Sequence, residues 1–194
     1  MVHVLLFHHA LGLTPGLHEI ADRLRADGHG VTLPDLFDGL TFATVEEGVA
    51  HAGEIGFGTV MERGVAAAAD LPADLVYAGV SLGVMPAQRL AQTRPGARGA
   101  VLLESAVPTE EFGGWPAGVP VQVHGMDGDE FFAGEDLPAA RALVEEASAT
   151  AGAELFLYPG DGHLFVDPSS SAYDRDASEQ VLERVRSFLR SVGS

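Results

Sequence analysis

Leu75-Val76-Tyr77-Ala78 leads directly into Gly79-Val80-Ser81-Leu82-Gly83, and a helix-like stretch then reaches Gln92. A G-x-S-x-G pentapeptide between an apolar strand and a helix puts its serine on a sharp, strained turn. Glycines two residues to either side leave room for strand and helix to pass close to that turn. The Ser81 hydroxyl is then presented at the carboxyl end of the strand, with the first amides of the next helix available to an oxyanion. Outside such a context the pattern reads as an ordinary Gly-rich turn; within it, Ser81 is expected to be a nucleophile.

The partners of a nucleophilic serine are a base and a carboxylate that orients it. Only two histidines follow Ser81, His124 and His163. His163 stands in the turn-rich Tyr158-Pro159-Gly160-Asp161-Gly162-His163-Leu164-Phe165, after the strand-like Glu154-Leu155-Phe156-Leu157. A loop histidine can swing its imidazole toward the serine and still be held by a carboxylate, so His163 is the expected base. His124 ends the strand-like Val119-Pro120-Val121-Gln122-Val123 and reads as a strand-end histidine with a structural hydrogen bond. The loop Gly125-Met126-Asp127-Gly128-Asp129-Glu130-Phe131-Phe132 offers two acids. Asp129 is preferred, since the Phe131-Phe132 pair should tuck it under the fold, where low dielectric strengthens its bond to imidazolium. Asp127 precedes Gly128 and reads as a turn residue.

The chain has 194 residues, the size of one domain with a sizeable core, and residues 1–194 are read as a single unit. It has no cysteine, which excludes disulfides, thiolate metal sites and a thiol nucleophile. No run of 18 apolar residues and no basic leader is visible, so a cytoplasmic protein without a membrane span is expected. A net charge of −17 repels nucleic acid and anionic membranes and favours solubility. All basic residues are Arg, and Lys and Asn are absent; with the Ala and Gly excess this reads as codon bias of a GC-rich bacterial genome.

Strand-like and helix-like segments alternate, which predicts a mostly parallel six-stranded sheet covered on both faces. Strands are expected at 2–7, 30–33, 74–79, 100–103, 119–123 and 154–157. Helices are expected after the Thr14-Pro15 cap, in a Gly-broken region at 44–71, after Ser81, and at 173–191. Pro86, five residues past Ser81, conflicts with a regular helix start. Two long connections, 34–43 and 104–118, would lie at the carboxyl edge and shape a pocket, to which Phe112 and Trp115 would contribute. Surface covering with an aromatic anchor explains them equally well. Gly53, Gly56 and Gly58 mimic a nucleotide-binding fingerprint, but no strand precedes them.

Phe7-His8-His9-Ala10-Leu11-Gly12 leaves the first strand where the second oxyanion amide is needed. The N–H groups of Ala10 and Leu82 would hold the oxyanion, at about 3 kcal/mol per donor. His8 and His9 leave a strand on opposite faces and have no regularly spaced carboxylate, so no metal is expected and His9 is assigned to the pocket lining.

Together these residues resemble the dienelactone hydrolase family of α/β-hydrolases over nearly the whole chain. The matching segments are Leu5 to Leu13, Pro34-Asp35-Leu36, Gly79 to Gly83, Gly125 to Phe132 and Gly162 to Phe165. The resemblance implies an α/β-hydrolase fold that lacks the first two strands and a separate lid domain, and it again selects Asp129. Three positions depart from the family pattern. Ser81 replaces a cysteine nucleophile, His9 a glutamate that helps control it, and Asp167 an arginine that grips a substrate carboxylate. A cofactor-free esterase or lactonase acting on small, neutral molecules is therefore expected, with Ser81, His163 and Asp129 as its triad. Its rivals are a non-catalytic ligand-binding protein of the same fold and an unrelated doubly wound domain for a phosphorylated ligand. The second would need more than the single Gly12 after the first strand.

Overall fold

Successive side chains of a strand point to opposite faces, and here both faces are apolar. Leu5, Phe7, Leu75, Tyr77, Leu102, Val121 and Val123 join one buried cluster; Val4, Leu6, Val76, Ala78, Val80, Val101 and Leu103 join the other. Such two-sided strands belong in a parallel sheet with helices above and below. The computed structural model, which describes residues 1–193, has that architecture. The strands are β1 (His3–Phe7), β2 (Gly30–Thr32), β3 (Leu75–Val80), β4 (Gly99–Leu103), β5 (Val121–Met126) and β6 (Ala153–Tyr158). All pair in parallel, in the order β2-β1-β3-β4-β5-β6. The architecture is the open, helix-flanked sheet of the α/β-hydrolase fold.

Among the described residues there are six α-helices, five between strands and the last after β6: α1 (Pro15–Ala26), α2 (Val45–Ile55), α3 (Phe57–Ala67), α4 (Val84–Thr93), α5 (Leu137–Ser148) and α6 (Arg175–Val192). α1 and α6 cover one face through Leu17, Leu24, Val181, Leu182, Val185, Phe188 and Leu189. α4 and α5 cover the other through Val84, Ala87, Leu90, Ala140 and Leu143, with Val60 of α3 beside them. Thr14 caps α1 by accepting the Leu17 N–H, as expected. The irregular region at 44–71 is two helices that turn at Gly56, whose φ is +88°.

Three expectations are corrected. β5 starts two residues later than expected and runs on to Met126, so His124 lies inside the strand. α5 lies outside the expected set; its buried stripe is mainly alanine (Ala139, Ala140, Ala147), with Leu143, and carries little apolar signal. Pro86 is the third residue of α4, where its missing N–H would have had no intrahelical acceptor. Its ring packs on α3, where a Cβ on Gly64 would come within 2.4 Å of the Pro86 Cβ. Among the described residues no helix is long and apolar enough to cross a membrane.

Candidate active site

All six strands end at the same edge, so the loops after β1, β3, β4, β5 and β6 are neighbours there. Ser81 is the first residue beyond β3 and has φ +48°. Four non-glycine residues among those described have positive φ: Asp38, Ser81, Glu104 and Leu164. Three of them surround this site, so the backbone strain is concentrated where side chains are being aimed. The flanking glycines serve close approach, as expected. A Cβ on Gly79 would lie 2.2 Å from Gly83 O, and one on Gly83 would lie 2.5 Å from Phe7 O and 2.6 Å from His8 O. The turn after β3 is therefore wedged against the loop that leaves β1; Leu82 in the one and Ala10 in the other are both buried.

Ser81 Oγ lies 2.8 Å from His163 Nε2, and His163 Nδ1 lies 2.7 Å from Asp129 Oδ2. With the carboxylate accepting at Nδ1–H, Nε2 is left to accept the serine proton. Asp129 is fully buried, and its Oδ1 accepts the Phe131 N–H at 2.9 Å. Asp127 is exposed, and its N–H goes to Tyr158 O at 3.0 Å. Gly128 N–H to Gly160 O at 2.8 Å joins the same two loops, so the acid and histidine loops are laced together by backbone. Burial acts to lower the His163 pKa. The Asp129 hydrogen bond, with the charges of Glu104, Asp129 and Asp136, outweighs it and leaves the value raised above 6.5.

Glu104, absent from the expected site, is fully buried one residue beyond β4. Its carboxylate accepts the Leu164 N–H, and the Val166 N–H at 3.3 Å, and approaches His163 Nδ1 to 3.9 Å. Burial pushes its pKa up to about 7, against the pull of His163 and the two amides. A lone acid closing the apolar run Ala100–Leu103 at the carboxyl edge was the available signal. Glu104, Asp129 and His163 place ligand-type atoms within 4.8 Å of one another. Hydrogen bonds already account for this cluster, since Nδ1 is held by Asp129 and Nε2 by Ser81.

The predicted pocket residues fare differently. His9 is fully buried and its ring is saturated: Leu11 N–H donates to Nδ1 at 3.2 Å, and Nε2–H donates to Asp167 Oδ2 at 2.7 Å. It ties the β1 loop to the histidine loop and does not border the two described clefts at His163. Asp167 also accepts Thr14 Oγ1–H at 2.6 Å and the Ser169 N–H at 2.7 Å, and these bonds outweigh burial to hold its pKa down. Trp115 is buried on the α4–α5 side, with its ring N–H on Val119 O and its backbone N–H on Glu146. Neither it nor Phe112 lines a cleft with His163; the long 104–118 connection is held onto α5 instead. His8 donates from Nδ1 to His9 O and accepts the Leu36 N–H at Nε2; burial lowers its pKa to about 4. His124 hydrogen-bonds with Tyr158, and burial lowers its pKa to about 3.

The larger of two described clefts that reach His163 has a volume of about 570 Å³. Leu11, Phe42 and Phe131 supply its apolar wall, and Thr14, Thr41 and Ser169 supply hydroxyls. Phe131 is 51% exposed, with its ring 4.7 Å from that of His163. Only Phe132 of the aromatic pair is buried, under Gly125. Among the described residues that line this cleft there is no arginine, and Glu46 is there. Arg63 is engaged elsewhere, with Asp38 at 2.8 Å and Leu36 O at 2.7 Å.

Known proteins share this frame. A Saccharolobus solfataricus protein named "Putative carboxymethylenebutenolidase" is 40% identical over 65 residues, which is 31% of this chain and 25% of that protein's length. The dienelactone hydrolase-like promiscuous phosphotriesterase from metagenomic libraries superposes with a TM-score of 0.79 at 17% identity, covering 99% of this chain and 87% of its own. The dienelactone hydrolase of Anabaena variabilis gives 0.67 at 19% identity, with 98% and 86% covered. These two superpositions speak for the fold. The sequence profile of the dienelactone hydrolase family matches residues 1–193, and the chain belongs to that family.

Proposed function

We propose that this hydrolase cleaves small, neutral carboxylic esters or lactones through an acyl-enzyme formed on Ser81. The observation that carries the reading is the continuous chain Ser81 Oγ, His163 and Asp129, at 2.8 and 2.7 Å. His163 Nε2 takes the serine proton as Oγ attacks the carbonyl, and Asp129 fixes the tautomer and stabilises the imidazolium. The amides of Ala10 and Leu82 hold the oxyanion, the two loops being set side by side by the Gly83 contact with Phe7 and His8. His163 then protonates the leaving alkoxide. Water attacks the acyl-enzyme with His163 again as base, and the acid leaves as Ser81 regains its proton. No step requires a cofactor.

The preference for neutral substrates rests on the cleft. Its walls are apolar and hydroxyl-bearing, its one charged lining residue among those described is Glu46, and the chain carries −17 overall. Small lactones fit the family; a cleft of about 570 Å³ has room for open esters as well. The experiment is a panel of p-nitrophenyl esters and small lactones, run beside Ser81→Ala. Turnover by wild type that Ser81→Ala loses supports the reading. No turnover on any member, together with reversible binding of the same compounds, would favour a ligand-binding protein instead.

A further inference from the structure

We propose that Glu104 is a second carboxylate serving His163, a positioning residue that braces the histidine loop and places negative charge beside the imidazole. The inference deepens the reading of His163 as general base and rests on it. Glu104 sits one residue beyond β4, fully buried, with φ +62°. Its own N–H is pinned to His124 O at 2.6 Å. Its carboxylate takes the N–H groups of Leu164, itself at φ +66°, and of Val166. Two left-handed residues therefore face each other across one hydrogen bond, and that bond sets the backbone next to His163.

Bracing alone does not call for an acid. A glutamine's single oxygen would keep the Leu164 bond, giving up only the longer Val166 contact at 3.3 Å, without the penalty of a buried charge. What a carboxylate adds is its charge, 3.9 Å from His163 Nδ1. Among the described residues no arginine pairs with Glu104, and the cation it can face is imidazolium. The other ionisable groups around it are Asp129, from the loop after β5, and Asp136, which accepts the Ser105 hydroxyl at 2.6 Å and also acts on His163. His124, across the β4–β5 pairing, is held neutral by burial. Two acids would oppose each other next to a neutral ring, and both favour the ring once it is protonated. That favours the state formed as Ser81 attacks. The serine proton stays on Nε2; neither Glu104 nor Asp129 receives it.

The test is Glu104→Gln, which keeps one oxygen for the Leu164 amide and removes the charge, assayed by kcat and kcat/KM for p-nitrophenyl acetate from pH 5 to 9. The acid limb of kcat/KM should move down by about one pH unit, the low end for losing an opposite charge this close. The plateau kcat should fall roughly tenfold, one unit being a factor of ten. An acid limb at the wild-type pH would overturn the proposal whatever happens to kcat, because a brace alone leaves the pH profile in place. If the variant does not melt cooperatively, 15N-histidine NMR of the wild-type protein decides. His163 should titrate in two steps, as coupled groups do, and a single step would overturn the proposal. Ser81→Ala and His163→Ala are run alongside. Activity retained in both would overturn the base assignment and this inference together. Their inactivity with an unshifted Glu104→Gln profile would overturn the role of Glu104 alone.

Discussion

Replacing Asp129 with Asn keeps the shape of the side chain and removes one charge. Asp129 Oδ1 accepts the Phe131 N–H at 2.9 Å, and its Oδ2 faces His163 Nδ1 at 2.7 Å. An asparagine has one oxygen. If it stays on the Phe131 amide, the NH₂ group meets Nδ1, which must then accept, and the proton moves to Nε2. His163 can no longer take the Ser81 proton from that tautomer. The loss expected for a wrong tautomer is about 10⁴ in kcat, or roughly 5 kcal/mol of barrier at 1.36 kcal/mol per decade. The loop should survive, because the Phe131 bond and the Gly128–Gly160 bond remain. Asp127→Asn is the control: that side chain is exposed and its backbone does the structural work. Both variants should melt cooperatively near the wild-type temperature, with kcat for p-nitrophenyl butyrate collapsing only in Asp129→Asn. An inactive Asp127→Asn beside a near-normal Asp129→Asn would refute the assignment of the acid.

Three further outcomes follow from the same geometry. Since His163 must be neutral to act and its pKa is raised, kcat/KM should fall as pH drops, with a midpoint above 6.5; a flat profile from pH 5 to 9 would contradict this. Gly83→Ala would press a Cβ into Phe7 O and His8 O. It should destabilise the fold by about 1–3 kcal/mol, seen as a lower melting temperature, and lower kcat by displacing the β1 loop; a variant with wild-type melting and kcat would show that the loops are not wedged. Neutral p-nitrophenyl esters should have higher kcat/KM than carboxylate-bearing analogues of similar size, and a preference for the anion would mean that an arginine reaches the cleft.

The sheet was legible because the central strands are compact apolar runs, most of them bounded by Gly, Pro or Asp, and because their side chains are apolar on both faces. The meeting of Ser81 with His163 at 2.8 Å was legible for a different reason. A strained turn with glycines at fixed offsets and a turn-rich loop after the last strand both leave local marks. Asp129 was separated from Asp127 on the burial of its aromatic neighbours, and only Phe132 meets that argument; Phe131 stands over His163 at the cleft. What local sequence did not carry is side-chain pairing between distant loops. His9 was assigned to the pocket because nothing near it shows Asp167 closing on its ring, 158 residues away. The long connection that carries Trp115 reads equally as pocket wall or surface covering, and its anchor, Glu146, lies on a helix whose alanine face carries little signal. Glu104 is the same case: its meaning depends on Leu164 and Val166, which only the parallel order β4-β5-β6 brings alongside.

Reaction with a fluorophosphonate, followed by peptide mass spectrometry, identifies the nucleophile. A nucleophile activated through a 2.8 Å bond to His163 should take the label at Ser81 and at no other serine. Ser81→Ala should remain unlabelled and lose ester hydrolysis by roughly 10³-fold or more. Label found on another residue, with Ser81→Ala still hydrolysing esters at the wild-type rate, would contradict the account.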